Sequence, residues 1–165
     1  MALAAKGLEG IIANESKLSN VQGLEGKLCY LGYTIDELVE HTSFEEVIYL
    51  LHNGKLPNQS ELDGLISKLK ANRNLPDGII DFLKNAPKDA GPMDVIRTGV
   101  SMMGLYDTKG DHQNRSLNED RAIAIIAKIP LIVAAFHRFR HGLEIVESRE
   151  DLSEAAHFLY LINGE

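Results

Sequence analysis

The side chains able to do chemistry in this chain are few and scattered. His137 and His141 stand four apart in FHRFRHG, so on a helix they share a face and can hold a metal, with His157 as a third ligand from elsewhere. No carboxylate is placed to orient either ring, and the same residues also serve as cations at a helix end, where the dipole is negative. His41 and His52 lie beside apolar residues at helix ends, which suits C-terminal capping. Asp94 and Arg97, three apart, read as an ion pair on one helix face rather than as an acid and a base. Cys29, inside the apolar run KLCYL, reads as a small core residue rather than a nucleophile. GLEGKL lacks the glycine run and the Lys-Ser/Thr pair of a phosphate loop, and Met102-Met103 reads as packing. Residue types and spacing therefore assign no catalytic, cofactor-binding or metal residue.

The element that must organise any such residues is SLNEDRAIAIIAKIPLIVAAFHRFRHG, from Ser116 to Gly142. Between Ala122 and Phe136 its only charge is Lys128. Ser116 and Glu119 have capping-box spacing; Arg138, Arg140 and His141 answer the dipole at the other end, and Gly142 suits a left-handed cap. The expected helix is about 25 residues, with a kink near Ile126 to Pro130, where the proline removes a backbone bond. A helix apolar all round must be enclosed by its own domain, a second subunit or lipid. Lys128, Pro130 and an apolar run shorter than the ~20 residues of a membrane span argue for protein.

Capping signals and apolar stripes place the other elements. Ile11 to Ala13, Leu18 to Val21 and Lys27 to Tyr30 suit two or three short strands around a glycine-containing turn in VQGLEGKL. From Thr34 onward helices are expected. Thr34 with Glu37, and Ser43 with Glu46, form capping boxes, and Gly54 closes the second helix. Asn58 caps a third helix carrying Leu62, Leu65, Ile66 and Leu69, and Pro76 sits in the first turn of a fourth carrying Ile79, Ile80, Phe82 and Leu83. Pro92 opens a fifth with Ile96, Val100 and Met103 on one face. Its Gly99 and Gly104, each costing about 1 kcal/mol against Ala, imply a backbone passing close by. The last helix places Leu152, Ala155, Ala156, Leu159 and Ile162 on one side. The expected fold is all-α, with a short β region over residues 1–33 and a helical part over 34–165.

One hundred and sixty-five residues, 44% hydrophobic and 25% charged, describe a single globular domain. A net charge of −7 argues against nucleic acid as a partner. One cysteine fits a reducing compartment, and MALAAKGLEG reads as no signal peptide, so the expected location is cytoplasmic with no membrane partner.

The run GLEGIIANESKLSNVQGLEGKLCYLGYTIDELVEHTSFEEVIYLLHNGKLP resembles the opening of bacterial citrate synthases and 2-methylcitrate synthases. ELDGLISKLKANRNLP, PMDVIRTGVS, KIPLIVAAFHRFRHG and DLSEAAHFLYLINGE extend the resemblance in order, from about Gly7 to Glu165. The family commonly has Arg where this chain has Leu31 and His where it has Gly91.

The resemblance implies an N-terminal portion of the family's large domain. The enzyme joins acetyl-CoA to oxaloacetate, giving citrate and CoA without metal or prosthetic group. In the family an Asp removes the methyl proton, one His stabilises the enolate, a second serves the carbonyl, and further Arg and His residues hold oxaloacetate. These roles fit a weakly acidic C–H that needs a placed base and donors aimed at developing charge. The resemblance locates all of them beyond this stretch, so no catalytic residue carries over and the chain alone is expected to be inactive. It also implies a homodimer through the helices at 92–106 and 117–141. The close alternative is 2-methylcitrate synthase, acting on propionyl-CoA. The rival from another class is a free-standing helical interaction domain using the apolar helix as its surface.

Overall fold

The computed structural model describes residues 12, 14–108, 110 and 113–165. Of the expected strand at Ile11 to Ala13, Ile11 and Ala13 lie outside the described residues, and Ile12 is exposed and in no strand. The fold is all-α with a small antiparallel sheet, and the chain forms two compact units, Met1–Gln59 and Ser60–Glu165.

In the first unit, β1 (Ser19–Gln22), β2 (Lys27–Tyr30) and β3 (Tyr33–Thr34) form a sheet in the order β1-β2-β3. Val21 pairs with Leu28 and Cys29 with Thr34. The two-residue β3 has no pattern of its own, and Thr34 announces itself only as a helix cap. Between β2 and β3 the turn is Leu31-Gly32, with φ of 50° and 94°. Positive φ at both central residues is what a tight hairpin needs to match strand twist, and Leu31 occupies it at a steric cost. α1 (Ile35–His41) and α2 (Phe44–Asn53) begin in the two expected capping boxes, with Thr34 Oγ1 and Ser43 Oγ each accepting from the backbone N–H three residues on. Gly54 ends α2 in the left-handed conformation, donating to the Leu50 carbonyl.

The second unit holds α3 (Gln59–Ala71) from its second residue on, α4 (Asp77–Asn85), α5 (Pro92–Met103), a 3-10 turn (Gly104–Tyr106), α6 (Arg115–Arg140) and α7 (Glu154–Asn163). Its core joins Ile79 and Leu83 of α4, Val95 of α5, and Ile132, Ala135 and Phe136 of α6. Ile96, Val100, Met102 and Met103 pack on this cluster from α5. Pro92 is the first residue of α5, as its missing N–H allows. Pro76 stands one position before α4, and its carbonyl accepts from Ile79 and Ile80.

The expected capping box at Ser116 is replaced by a cap two residues earlier. Asn114 Oδ1 accepts from the Leu117 N–H at 3.2 Å, and Glu119 turns to Arg115 at 3.0 Å. An Asn cap is as good as Ser, and starting at Arg115 adds that ion pair within the first turns. α6 then runs unbroken through Pro130 for 26 residues. It ends in a full Schellman arrangement, with Leu143 N–H on the Arg138 carbonyl, Gly142 N–H on the Phe139 carbonyl, and Gly142 at φ 74°. By length and composition alone α6 could cross a membrane. It packs instead against α4, α5 and α7, burying Ala127, Ile132, Ala134, Ala135 and Phe136.

Two expectations about packing change. A Cβ on Gly99 would stand 3.2 Å from two atoms of Ile132, so the close approach is to a side chain of the same chain. Gly104 has nothing within 4 Å and belongs to the end of α5. On α7 the buried row is Glu154, His157 and Leu161, while Leu159 is 60% exposed. The apolar residues of that helix misled, because two ionisable groups hold the inner face.

Candidate functional site

Two polar centres lie in the second unit, both built around the turn between α3 and α4. Arg73, in that turn, is buried and faces Glu154 at the start of α7. Its Nε and Nη2 donate to Glu154 Oε1 at 3.1 and 2.7 Å, and its Nη1 donates to the Arg149 carbonyl at 2.7 Å. Ser148 Oγ closes the arrangement by donating to the Arg73 carbonyl at 2.8 Å. A buried cation is tolerable only with such saturation, since an unpaired one would carry a large desolvation cost. One turn along α7, His157 is 1% exposed and its Nε2 has no hydrogen-bond partner. Burial first, and then the Arg73 charge, push its pKa down from 6.5 to about 4. The ring is therefore neutral near pH 7.

On the other side of the turn, Lys128 reaches out of the middle of α6. Its Nζ donates to the Asn72 carbonyl, the Asn74 carbonyl and Asn74 Oδ1 at 3.1, 2.5 and 2.6 Å. Three acceptors match the three donors of an ammonium. Burial still lowers the Lys128 pKa. Lys128 also lines a cleft of about 530 Å³ bordered by α3, α5, the 3-10 turn and the first half of α6. Its other charged residues are neutralised in pairs: Lys68 with Asp120 at 3.0 Å, and Arg121 with Asp107, with Asn118 also accepting from Arg121 at 2.8 Å. Ser101 lines the cleft, but no imidazole or thiol stands among the lining residues to activate it. The cleft has shape and charge without a nucleophile–base pair.

The residues singled out by type are spread apart. The rings of His137 and His141 lie 4.5 Å apart, tilted by 44°, but His141 Nδ1 is engaged with the His137 carbonyl at 2.7 Å, and His157 is buried in the other cluster. Among the described residues no three His, Cys, Asp or Glu side chains could hold a metal. Asp94 and Arg97 form the expected exposed ion pair at 2.7 Å. His41 and His52 stand exposed in the last turns of α1 and α2. Cys29 is half-buried in β2, Gly23 to Gly26 form the turn between β1 and β2, and Met102 and Met103 pack on the core. Arg73 and Glu154 carried no signal of their own: they stand 81 residues apart. Only Lys128, the single charge in an apolar run, was conspicuous.

The comparisons with known proteins point one way. The family model described as citrate synthase, C-terminal domain, matches residues 7–165. The chain is similar to a citrate synthase of Haloferax volcanii, 45% identical over 97% of this chain and 43% of that protein. It is also similar to a 2-methylcitrate synthase of Shewanella oneidensis, 39% identical over 99% of this chain and 43% of that protein. Among solved structures it matches a citrate synthase from Pyrobaculum aerophilum with a TM-score of 0.87 and 34% identity, over 96% of this chain and 42% of that one. The chain thus spans well under half the length of these relatives.

Proposed function

This chain belongs to the citrate synthase family, and we propose that it supplies the helical N-terminal part of an enzyme condensing acetyl-CoA with oxaloacetate. The observation that carries the reading is a match running from residue 7 to residue 165 without a change of family. The reaction forms a C–C bond at the acyl methyl carbon and releases CoA by thioester hydrolysis, without cofactor, in the cytoplasm. Glu154 is tied to Arg73, His157 is walled in, and Lys128, although it lines the cleft, commits its three donors to Asn72 and Asn74. The groups for enolisation and oxaloacetate binding are accordingly assigned to the part of the relatives that this chain does not span. The same argument leaves propionyl-CoA as the alternative acyl donor, in line with the 2-methylcitrate synthase among the relatives.

A second copy of the chain is the proposed partner, through α5 and α6. Ala122, Ile126, Ile129 and Val133 lie partly exposed at helical spacing along α6, and Met93 and Leu105 are exposed on or just beyond α5. Burying ~400 Å² on one such helix would yield about 10 kcal/mol of gross hydrophobic gain. Association costs of ~4–15 kcal/mol oppose it, so both helices of both copies are needed. Light scattering after size exclusion reads the assembly, and Ile126→Glu is expected to weaken it. A monomer at tens of micromolar, unchanged by that substitution, would overturn the partner reading.

Thiol release with acetyl-CoA or propionyl-CoA and oxaloacetate tests the reaction. The chain alone is expected to show no turnover, whereas a chimera with residues 7–165 in place of the matching stretch of the Haloferax volcanii protein is expected to be active. Turnover by the chain alone would place the catalytic groups within it. A folded but inactive chimera would refute the family role.

A further inference from the structure

α7 and the strap that leads into it, residues 143–153, are held differently from the rest of the second unit. The main hydrophobic cluster lies wholly on α4, α5 and α6. Leu143 and Ile145 of the strap are 46% and 39% exposed, and an open cavity of about 240 Å³ lies beneath it, lined by Leu75, Ile80, Leu131 and Val146 among others. What holds the strap and the start of α7 is polar: Arg73 to Glu154, Arg73 to the Arg149 carbonyl, and Ser148 to the Arg73 carbonyl. His157 stands on the same inner face of α7, buried, with Nε2 bare.

From this arrangement we infer that α7 and its strap form an acid-released latch, freed as a unit when His157 takes a proton while the α4–α5–α6 core stays folded. The charged groups around the ring set the direction. Arg73 from the α3–α4 turn acts on it directly, and Glu154 on its own helix is already engaged with Arg73. Arg138 of α6 donates to the Ile162 carbonyl at the far end of α7. On the strap, Arg149 and Asp151 pair with each other on the outside. A second proton on the ring would therefore put a cation near a guanidinium, with the Glu154 carboxylate already engaged by that guanidinium. The histidine's pKa is lower in the closed state than when exposed, so the closed state is favoured above about 6.5 and loses ground as pH falls towards 4. Local openings of this kind are cooperative and separate from global unfolding.

Hydrogen exchange followed by mass spectrometry on the full chain, at pH 7.5 and pH 5 and corrected for intrinsic exchange, tests the latch. Protection of α7 relative to the α4–α6 core is expected to fall on the order of tenfold or more at pH 5. In His157→Gln the ratio is expected not to change with pH. A ratio that is constant in the wild type, or equally pH-dependent in the variant, would overturn the proposal. If the variant does not fold, the wild-type ring decides by nuclear magnetic resonance. A His157 signal silent down to about pH 5 supports the latch, and one titrating near 6.5 in the closed state sinks it.

Discussion

Replacing Gly99 with Ala adds one methyl group where α5 meets Ile132 of α6. Two effects of opposite sign compete. A helix-interior Gly→Ala change gains about 1 kcal/mol, since Gly gives up more backbone freedom. The new Cβ would stand 3.2 Å from both Cδ1 and Cγ2 of Ile132 and 3.7 Å from Cγ1. Carbon pairs prefer roughly 3.5–4.0 Å, so two contacts are several tenths of an ångström too close. Ile132 is 0% exposed and lies in the core with Ile79, Leu83, Val95 and Phe136, so it has no open side to swing into. Either Ile132 leaves its rotamer, at ~0.5–1.5 kcal/mol, or α5 and α6 part, at ~1–3 kcal/mol for overpacking. Set against the gain of about 1 kcal/mol, the rotamer route nets out near zero and the middle of the overpacking range leaves a loss of about 1 kcal/mol, or ~2–4 °C in Tm for a chain of this size. Ile132→Val alone is expected to cost ~1 kcal/mol for the methyl it deletes, yet it removes one of the two close contacts. The double variant should therefore be less destabilised than the two losses added, with a favourable coupling of ~0.5–1 kcal/mol. Urea unfolding of the four proteins closes the cycle. Stabilisation by the full helix-propensity gain in Gly99→Ala, additive with Ile132→Val, would show that the helices are not in firm contact there.

Glu154→Gln should cost about 3 kcal/mol, because it strands the Arg73 guanidinium inside, whereas Arg73→Met with Glu154→Leu together should lie within ~1–2 kcal/mol of the wild type; equal losses in urea melts would contradict the desolvation argument. Lys128→Met keeps the stem but removes three hydrogen bonds, so a loss of ~1–3 kcal/mol is expected, with faster amide exchange localised to Asn72–Leu75; an unchanged turn would mean water replaces the ammonium freely. Leu31→Gly is expected to stabilise the hairpin by up to ~1 kcal/mol by removing the left-handed strain, and thermal melts that fall instead would place Leu31 in a contact worth more than the strain.

Much of the helical framework could be read from residues near one another in sequence. Thr34 with Glu37, Ser43 with Glu46, Pro92 and Gly54 mark helix ends because capping is settled within four residues. Where two caps competed, as at Asn114 and Ser116, spacing alone chose wrongly, since the choice also depends on the ion pair between Arg115 and Glu119. Faces were legible where apolar residues turn inward, as on α4, and misleading on α7, where Glu154 and His157 do so. An inward-facing charge is determined by its partner, and Arg73 is invisible from Glu154. The polar centres were therefore the least legible part of the chain.

The α3–α4 turn also sets an order of events in time. Beyond the bonds they make within the turn and to the end of α3, Asn72, Arg73 and Asn74 find partners 54 to 81 residues later, in Lys128, Ser148, Arg149 and Glu154. A ribosome adding roughly 5–20 residues per second would need about 4–16 s to make the longest of these spans. Through that interval α3 and α4 can coil, but the turn between them must leave the Arg73 guanidinium and the Arg73 and Asn74 carbonyls in water. Long-range closures of this kind come late and slow the search for the native state. The second unit thus finishes from its far end backwards, with the last helix fixing a turn made long before it.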